Sequence, residues 1–186
     1  VAARALDLTL TRRGKHLGAD IPMCGVPVHS HEAYLLRLIR AGHRVAICDQ
    51  LEDPAEARRR GAKSVVRRDV TRVITPGTLT DAELLNDKSE SLLLAVHQGG
   101  RNRCGLAWMS VTQGVVFLAE CTSEELAGWV ARVSPSELVY SSGVANSFEE
   151  RLRRIRQGSG VSLATRPEWQ FEAALGQRKL MDALQV

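Results

Sequence analysis

The side chains best placed to do chemistry are cations. Arg58, Arg59, Arg60, Lys63, Arg67, Arg68 and Arg72 fall between positions 58 and 72 and face one acid, Asp69, a local charge of +6. Clustered guanidinium groups are the electrostatic footprint of a polyanion, because each phosphate they neutralise releases counterions. The same run also fits a solvated loop. Residues 1–88 hold 15 Lys and Arg against 11 Asp and Glu, whereas residues 89–186 hold 10 of each, so the whole net +4 lies in the first half.

Other chemistries find less support. His29 and His31 are spaced as two metal ligands, but no third ligand accompanies them, and they read as helix-end histidines. Cys24, Cys48, Cys104 and Cys121 fall singly with no C-x-x-C pair. They read as buried free thiols in a reducing compartment rather than as a disulfide framework or a zinc site. Neither a G-x-x-x-x-G-K-[ST] loop nor G-x-G-x-x-G is present, so no phosphate-cradling motif supports nucleotide binding. No Ser or Cys is placed as an activated nucleophile. The chain reads as a binding piece and not an enzyme.

These cations need elements to position them. Leu6, Leu8 and Leu10 alternate with polar residues and predict a strand over Leu6–Thr11, with Arg12, Arg13, Gly14 and Lys15 as its basic exit. Ser30 is expected to cap a helix ending near Ala41, with Tyr34, Leu35, Leu38 and Ile39 on one face and Gly42 as its stop. The apolar run from Arg44 to Gln50 predicts a central strand. A short polar helix is expected after Asp53-Pro54, then a basic strand from Ser64 to Thr75, then a turn at Pro76-Gly77.

From Glu90 the pattern restarts. Three strand-like runs, Ser91–His97, Cys104–Thr112 and Val115–Glu120, are separated by Gly99-Gly100 and Gln113-Gly114 and predict an antiparallel meander. Thr122-x-x-Glu125 is a capping box for a helix carrying Leu126, Trp129, Val130 and Val133, which Ser134-Pro135 ends. A strand at Glu137–Tyr140, a second capping box at Ser147-x-x-Glu150 with a basic helix Phe148–Gln157, a strand at Val161–Thr165 and a last helix over Phe171–Leu184 complete the series. The order β-β-β-α-β-α-β is that of the ribonuclease-H-like fold. Nucleases on that fold hold two metals with acids, one of them inside the first strand, and here Ser91–His97 contains no Asp or Glu, so the nuclease reading fails.

With 186 residues, 44% hydrophobic and 25% charged, the chain suits one or two globular domains and excludes collagen, coiled coil and wholesale disorder. Its longest apolar run, Leu92 to Val96, is far short of the roughly 20 residues a membrane span needs. Beginning on Val1 with no targeting segment in view, it reads as a piece of something longer.

Four blocks in order carry a resemblance: Leu8-Thr9-Leu10-Thr11-Arg12-Arg13-Gly14, Ile21-Pro22-Met23-Cys24-Gly25-Val26-Pro27-Val28-His29, Val45-Ala46-Ile47-Cys48-Asp49-Gln50 and Arg72-Val73-Ile74-Thr75-Pro76-Gly77-Thr78. They resemble the amino-terminal mismatch-recognition domain of the bacterial MutS family of DNA mismatch repair proteins. The likeness continues through Asn86 and Leu92–Ala95 into the MutS connector domain and on to Pro167-Glu168-Trp169-Gln170-Phe171. It implies an α/β chain: a mixed-sheet recognition domain over 1–88, lacking its beginning, and a ribonuclease-H-like connector over 89–186, lacking its end.

The resemblance also implies partners. Family members bind double-stranded DNA with mispairs or small loops, act as homodimers, recruit a MutL-like protein and use ATP and Mg in a carboxy-terminal ATPase, which places this chain in the cytoplasm, associated with the nucleoid and no membrane. Their Phe-x-Glu wedge, on the first strand of the recognition domain, is expected before Val1. Phe148-Glu149-Glu150 matches it as a string, but in the connector half, where Phe148 should pack and Glu150 should cap. Of the DNA surface, Arg13 and Arg72 match positions near phosphates and Met23 a loop near the minor groove, while Lys15, Arg67 and Arg68 are chosen by charge and neighbourhood. The competing expectation is a protein-interaction module whose basic half binds no DNA.

Overall fold

The computed structural model describes residues 1–61, 64–79 and 91–185, which divide into two compact units, Val1–Thr75 and Pro76–Val186. The division expected at 88/89, together with Lys63, Asn86 and Glu90, lies outside the described residues.

The first unit begins with a helix α1 (Ala2–Leu6), not with the strand expected over Leu6–Thr11. Ala2, Ala3 and Ala5 are strong helix formers, and Asp7, in the left-handed conformation at φ 55°, ends the helix before the leucine alternation can be used. Leu6 is buried and Leu10 is exposed. Strands β1 (Thr11–His16) and β2 (Ala19–Met23) then form an antiparallel hairpin. The basic exit is therefore itself a strand.

Helix α2 (His31–Arg40) buries Leu35 and Ile39. Ser30 stands at its N-cap position, but its hydroxyl donates to Pro27 O at 3.3 Å instead of capping the helix. At the other end Gly42, at φ 78°, lets its N–H donate to Ile39 O at 2.9 Å and that of His43 to Leu38 O at 3.0 Å, the paired bonds of a Schellman stop. The strands β3 (Val45–Gln50) and β4 (Arg68–Ile74) pair antiparallel as a second two-stranded sheet. The central strand expected at Arg44–Gln50 is thus one half of a ribbon, with only Val45 and Ile47 half-buried, because β4 is its one partner among the described residues. Between them the polar helix α3 (Pro54–Arg59) starts as expected: Pro54 needs no donor at the first position, and the Asp53 carboxylate accepts from Ala55 N at 2.7 Å.

The second unit is a five-stranded sheet in the order β7-β6-β5-β8-β9, made of β5 (Leu92–Gln98), β6 (Arg103–Ser110), β7 (Val115–Thr122), β8 (Glu137–Ser141) and β9 (Ser162–Arg166). β5, β6 and β7 form the meander, and β8 and β9 add parallel to β5 on its other side. Along the chain the elements run β-β-β-α-β-α-β from β5 to β9, the ribonuclease-H-like succession read from the sequence. The first hairpin turns at Arg101-Asn102, not Gly99-Gly100; both are left-handed, at φ 54° and 61°, which suits a tight turn to the twist of the strands.

Helix α4 (Leu126–Val133) has its capping box: Thr122 N donates to the Glu125 carboxylate at 2.8 Å and Glu125 N to Thr122 Oγ1 at 3.3 Å. Helix α5 (Asn146–Ser159) begins before the second box, so Ser147 and Glu150 lie inside it and no side chain caps it. Leu126, Val130, Phe148 and Leu152 from these helices cover Leu94, Val96, Leu106, Leu138 and Tyr140 of the sheet in one core. Helix α6 (Ala173–Leu184) follows a short 3-10 turn and buries no residue.

Gly77 is fixed by packing: a Cβ there would stand 2.8 Å from Glu137 Cβ and 3.0 Å from Leu93 Cδ1. Its N–H donates to the buried Glu137 carboxylate at 3.1 Å, so the Pro76-Gly77 turn is tied to the start of β8.

Candidate nucleic-acid interface

The hairpin β1–β2 is exposed along its whole length. Its pairing runs Thr11 with Met23, Arg12 with Pro22, and then Lys15 with Asp20, so β1 holds one residue more than β2 across this interval. Gly14, at φ 69°, takes the left-handed conformation that such a bulge requires. Register places Arg13 opposite Ile21, on the face of Thr11 and Met23, and Lys15 with Arg12 and Asp20 on the other. Without the extra residue, Arg13 and Lys15 would share one face.

Charge pairing sharpens the distinction. Arg12 Nη1 donates to Asp20 Oδ2 at 2.9 Å. Arg13 has no acid partner among the described residues and stands on the face that carries no carboxylate of the hairpin. Met23 is the last residue of β2, where Thr11 Oγ1 donates to its carbonyl at 2.8 Å; it is partly exposed at a strand end rather than within a loop.

A second bulge divides the cations of the other ribbon. Ile47 pairs with Arg72 and Cys48 with Val70, leaving Thr71 as the extra residue. Thr71 Oγ1 donates to Asp49 Oδ2 at 2.5 Å, which holds Thr71 over the Ile47–Asp49 face. Arg72 accordingly shares the face of Ile47 and Asp49, and Arg68 that of Cys48 and Gln50. Arg67, Arg68 and Arg72 are all exposed, but the sheet does not gather them on one face.

The densest part of the basic run is already partly neutralised. The Arg60 guanidinium grips both oxygens of Glu52, one at 2.6 Å, and Arg67 N donates to the same carboxylate. These bonds, the one from Arg60 first, pull the Glu52 pKa down to about 2 from its ordinary 4.5. Arg58 and Arg59 remain exposed at the end of α3. Sequence reading missed Glu52 because it lies outside the run; the signal was its position eight residues before Arg60, across the two turns of α3.

Elsewhere the geometry narrows the other candidates. Phe148 is 2% exposed within the connector core, so the chain's one Phe-x-Glu string is packing. The thiols differ: Cys104 and Cys121 are buried opposite one another on β6 and β7, Cys24 is half-buried, and Cys48, expected inside a buried strand, is exposed on the open ribbon. Burial pushes the Cys121 thiol up to about 11. His31 Nδ1 lies 2.8 Å from Val28 O at the start of α2.

Residues 1–83 match the family model of MutS domain I, and residues 91–186 that of MutS domain II. The protein named DNA mismatch repair protein MutS in Nitrobacter hamburgensis is 47% identical over 190 residues, covering 100% of this chain and 21% of the relative. Its namesakes in Rhodopseudomonas palustris and Nitrobacter winogradskyi are 47% and 45% identical, again over all of this chain and 20% and 21% of their own length. The chain spans about a fifth of these relatives.

Proposed function

The chain belongs to the MutS family, and on that footing we propose that it works in DNA mismatch repair by supplying backbone contacts to duplex DNA from its first unit and a protein-facing connector from its second. The observation that carries this reading is the placement of Arg13. Alternation from Thr11 puts it on the open, carboxylate-free face of an exposed hairpin, the face of Met23, and the bulge turns Lys15 to the other, so a phosphate can approach Arg13 without displacing an internal partner. Arg72, at the second bulge, is the other principal contact, and Lys15, Arg67 and Arg68 contribute charge around them. ATP, Mg, the homodimer and the MutL-like partner belong in this proposal to the longer protein.

Contacts to phosphate position a protein without reading sequence. Discrimination in the family's manner needs a ring that enters the base stack, at a cost of a few kcal/mol per unstacked step. The one Phe-x-Glu string in this chain has its ring in the connector core, so residues 1–186 should hold matched and mismatched duplex almost equally.

Titration of the chain with matched and mismatched duplex across salt tests both statements. Binding at low salt is expected, falling linearly with log salt, and Arg72→Ala is expected to weaken both duplexes alike and reduce the slope by about 0.9. Absence of binding at low salt, or a flat salt response, would remove the DNA reading. A loss confined to the mismatch would overturn the assignment of Arg72, and a mismatch preference of about tenfold, or about 1.4 kcal/mol, would overturn the lack of discrimination.

A further inference from the structure

On the outer side of the connector, a groove of about 550 Å³ runs between α4 and α5. Its floor is the half-buried Ile155 over Val130, which is already packed in the core, and its walls are small: Ala127 and Ala131 on α4 and Gly158 on α5. Small side chains let a third backbone come close, and the exposed alanines leave that approach open. From Ala127 to Ser134 the groove follows α4 for about 10 Å at 1.5 Å per residue, the reach of about two turns of a partner helix.

The charges on the groove have one sign. Its only charged lining residues are Arg151 and Arg154. Arg151 is anchored, Nη1 donating to Ser123 O at 2.6 Å, and Glu124 lies close enough to feel its charge. Arg154 is exposed and makes no hydrogen bond or ion pair among the described residues. On the same helix Arg153 is paired with Glu149 at 2.9 Å, so an acid nearby is already committed elsewhere. A phosphate backbone would use Arg154 but gain nothing from Ile155 and the exposed Ala127 and Ala131. An apolar helix would use the floor and leave the cation unanswered.

We propose that this groove docks an amphipathic helix of a partner protein, with apolar residues at i, i+3 or i+4 and i+7 seated between α4 and α5 and a carboxylate set against Arg154. Such docking rests on the protein-facing role proposed for the connector and does not require the first unit to bind DNA.

The test uses the whole chain and a labelled designed peptide of about 16 residues, helix-stabilised by a side-chain link, with Leu on one face and Glu along its flanks. Saturable anisotropy change is expected, weakened about tenfold by Arg154→Glu. A second peptide with Lys in place of Glu should bind poorly to the parent chain and regain affinity for Arg154→Glu. Ala131→Trp, at an exposed site that can take the ring without unfolding, should block the first peptide; circular dichroism confirms that the variant is folded. No saturable binding, equal binding of the two peptides, or indifference to Arg154→Glu would overturn the proposal. So would duplex DNA binding that Arg154→Glu abolishes while the peptide fails to bind.

Discussion

In the unit Pro76–Val186, five strands share one sheet and α4 and α5 bury its face, with Leu94, Val96, Leu126, Leu138 and Leu152 at or near zero exposure. In the unit Val1–Thr75, four strands form two separate ribbons, and every residue of β1 and β2 is exposed. A covered sheet fixes its register, because a one-residue slip would turn its apolar set to water. An uncovered ribbon has no such constraint and tolerates an extra residue, and both ribbons have one. The bulges decide which cations share a face: they part Lys15 from Arg13 and Arg68 from Arg72. The buried sheet builds a body, whereas the ribbons present cations, and their local geometry is set by a few residues.

The largest expected effect tests that contrast through burial. Leu138→Ala, at a fully buried site in β8, should cost about 2–5 kcal/mol, since it removes apolar contacts and leaves a cavity. Val73→Ala, on the exposed side of β4, should change stability by less than about 0.5 kcal/mol. Urea melts followed by hydrogen exchange in each unit read both. Equal losses would show that β4 is covered as well as β8 and would break the comparison.

The cysteines provide a second measure. A thiol with a pKa of about 11 is only about one-thousandth thiolate at pH 8, and Cys121 is buried as well. Maleimide treatment of the native chain at pH 8 should modify Cys48 first, then Cys24, and leave Cys104 and Cys121 until urea is added. Rapid labelling of Cys121, read by mass of the cut peptides, would mean that the edge of the connector sheet opens freely.

The contrast also explains what could be read in advance. In the connector, burial imposes period, and the meander, the capping box at Thr122 and Glu125, and the strand order all follow from apolar spacing and turn residues. At Ser147 the helix instead starts one residue earlier, at Asn146, with no side chain capping it. In the ribbons, exposure removes that signal. Leu6, Leu8 and Leu10 alternate as a strand would, yet the alanines before them form a helix. Gly14 marks its bulge only as a residue free to adopt positive φ, and Thr71 does not mark its own. The family blocks made Arg13 and Arg72 candidates, whereas the faces they share with other residues depended on pairing that no spacing disclosed.

The smallest expected effect separates the cations of the first unit by use. Glu52 has a folded pKa of about 2, below its ordinary 4.5, because Arg60 and then Arg67 N hydrogen-bond its charged form. A depressed carboxylate pKa means that the folded state binds fewer protons than the unfolded chain, so this contribution is complete above the ordinary value and is lost as pH falls from about 4.5 to about 2. Solvent around Arg60 screens the pair and keeps the effect modest. In Arg60→Ala the Glu52 carboxyl, followed by NMR, should titrate nearer its ordinary value, and the acid limb of the stability profile should flatten. The same variant should leave the salt slope for duplex DNA unchanged, because Arg60 is committed to Glu52, whereas Arg72→Ala should lower the slope and leave the Glu52 titration in place. If Arg60→Ala lowered the salt slope as much as Arg72→Ala, the division of the basic run into an internal clamp and an outward contact would fail, and the run would be acting on DNA as one patch.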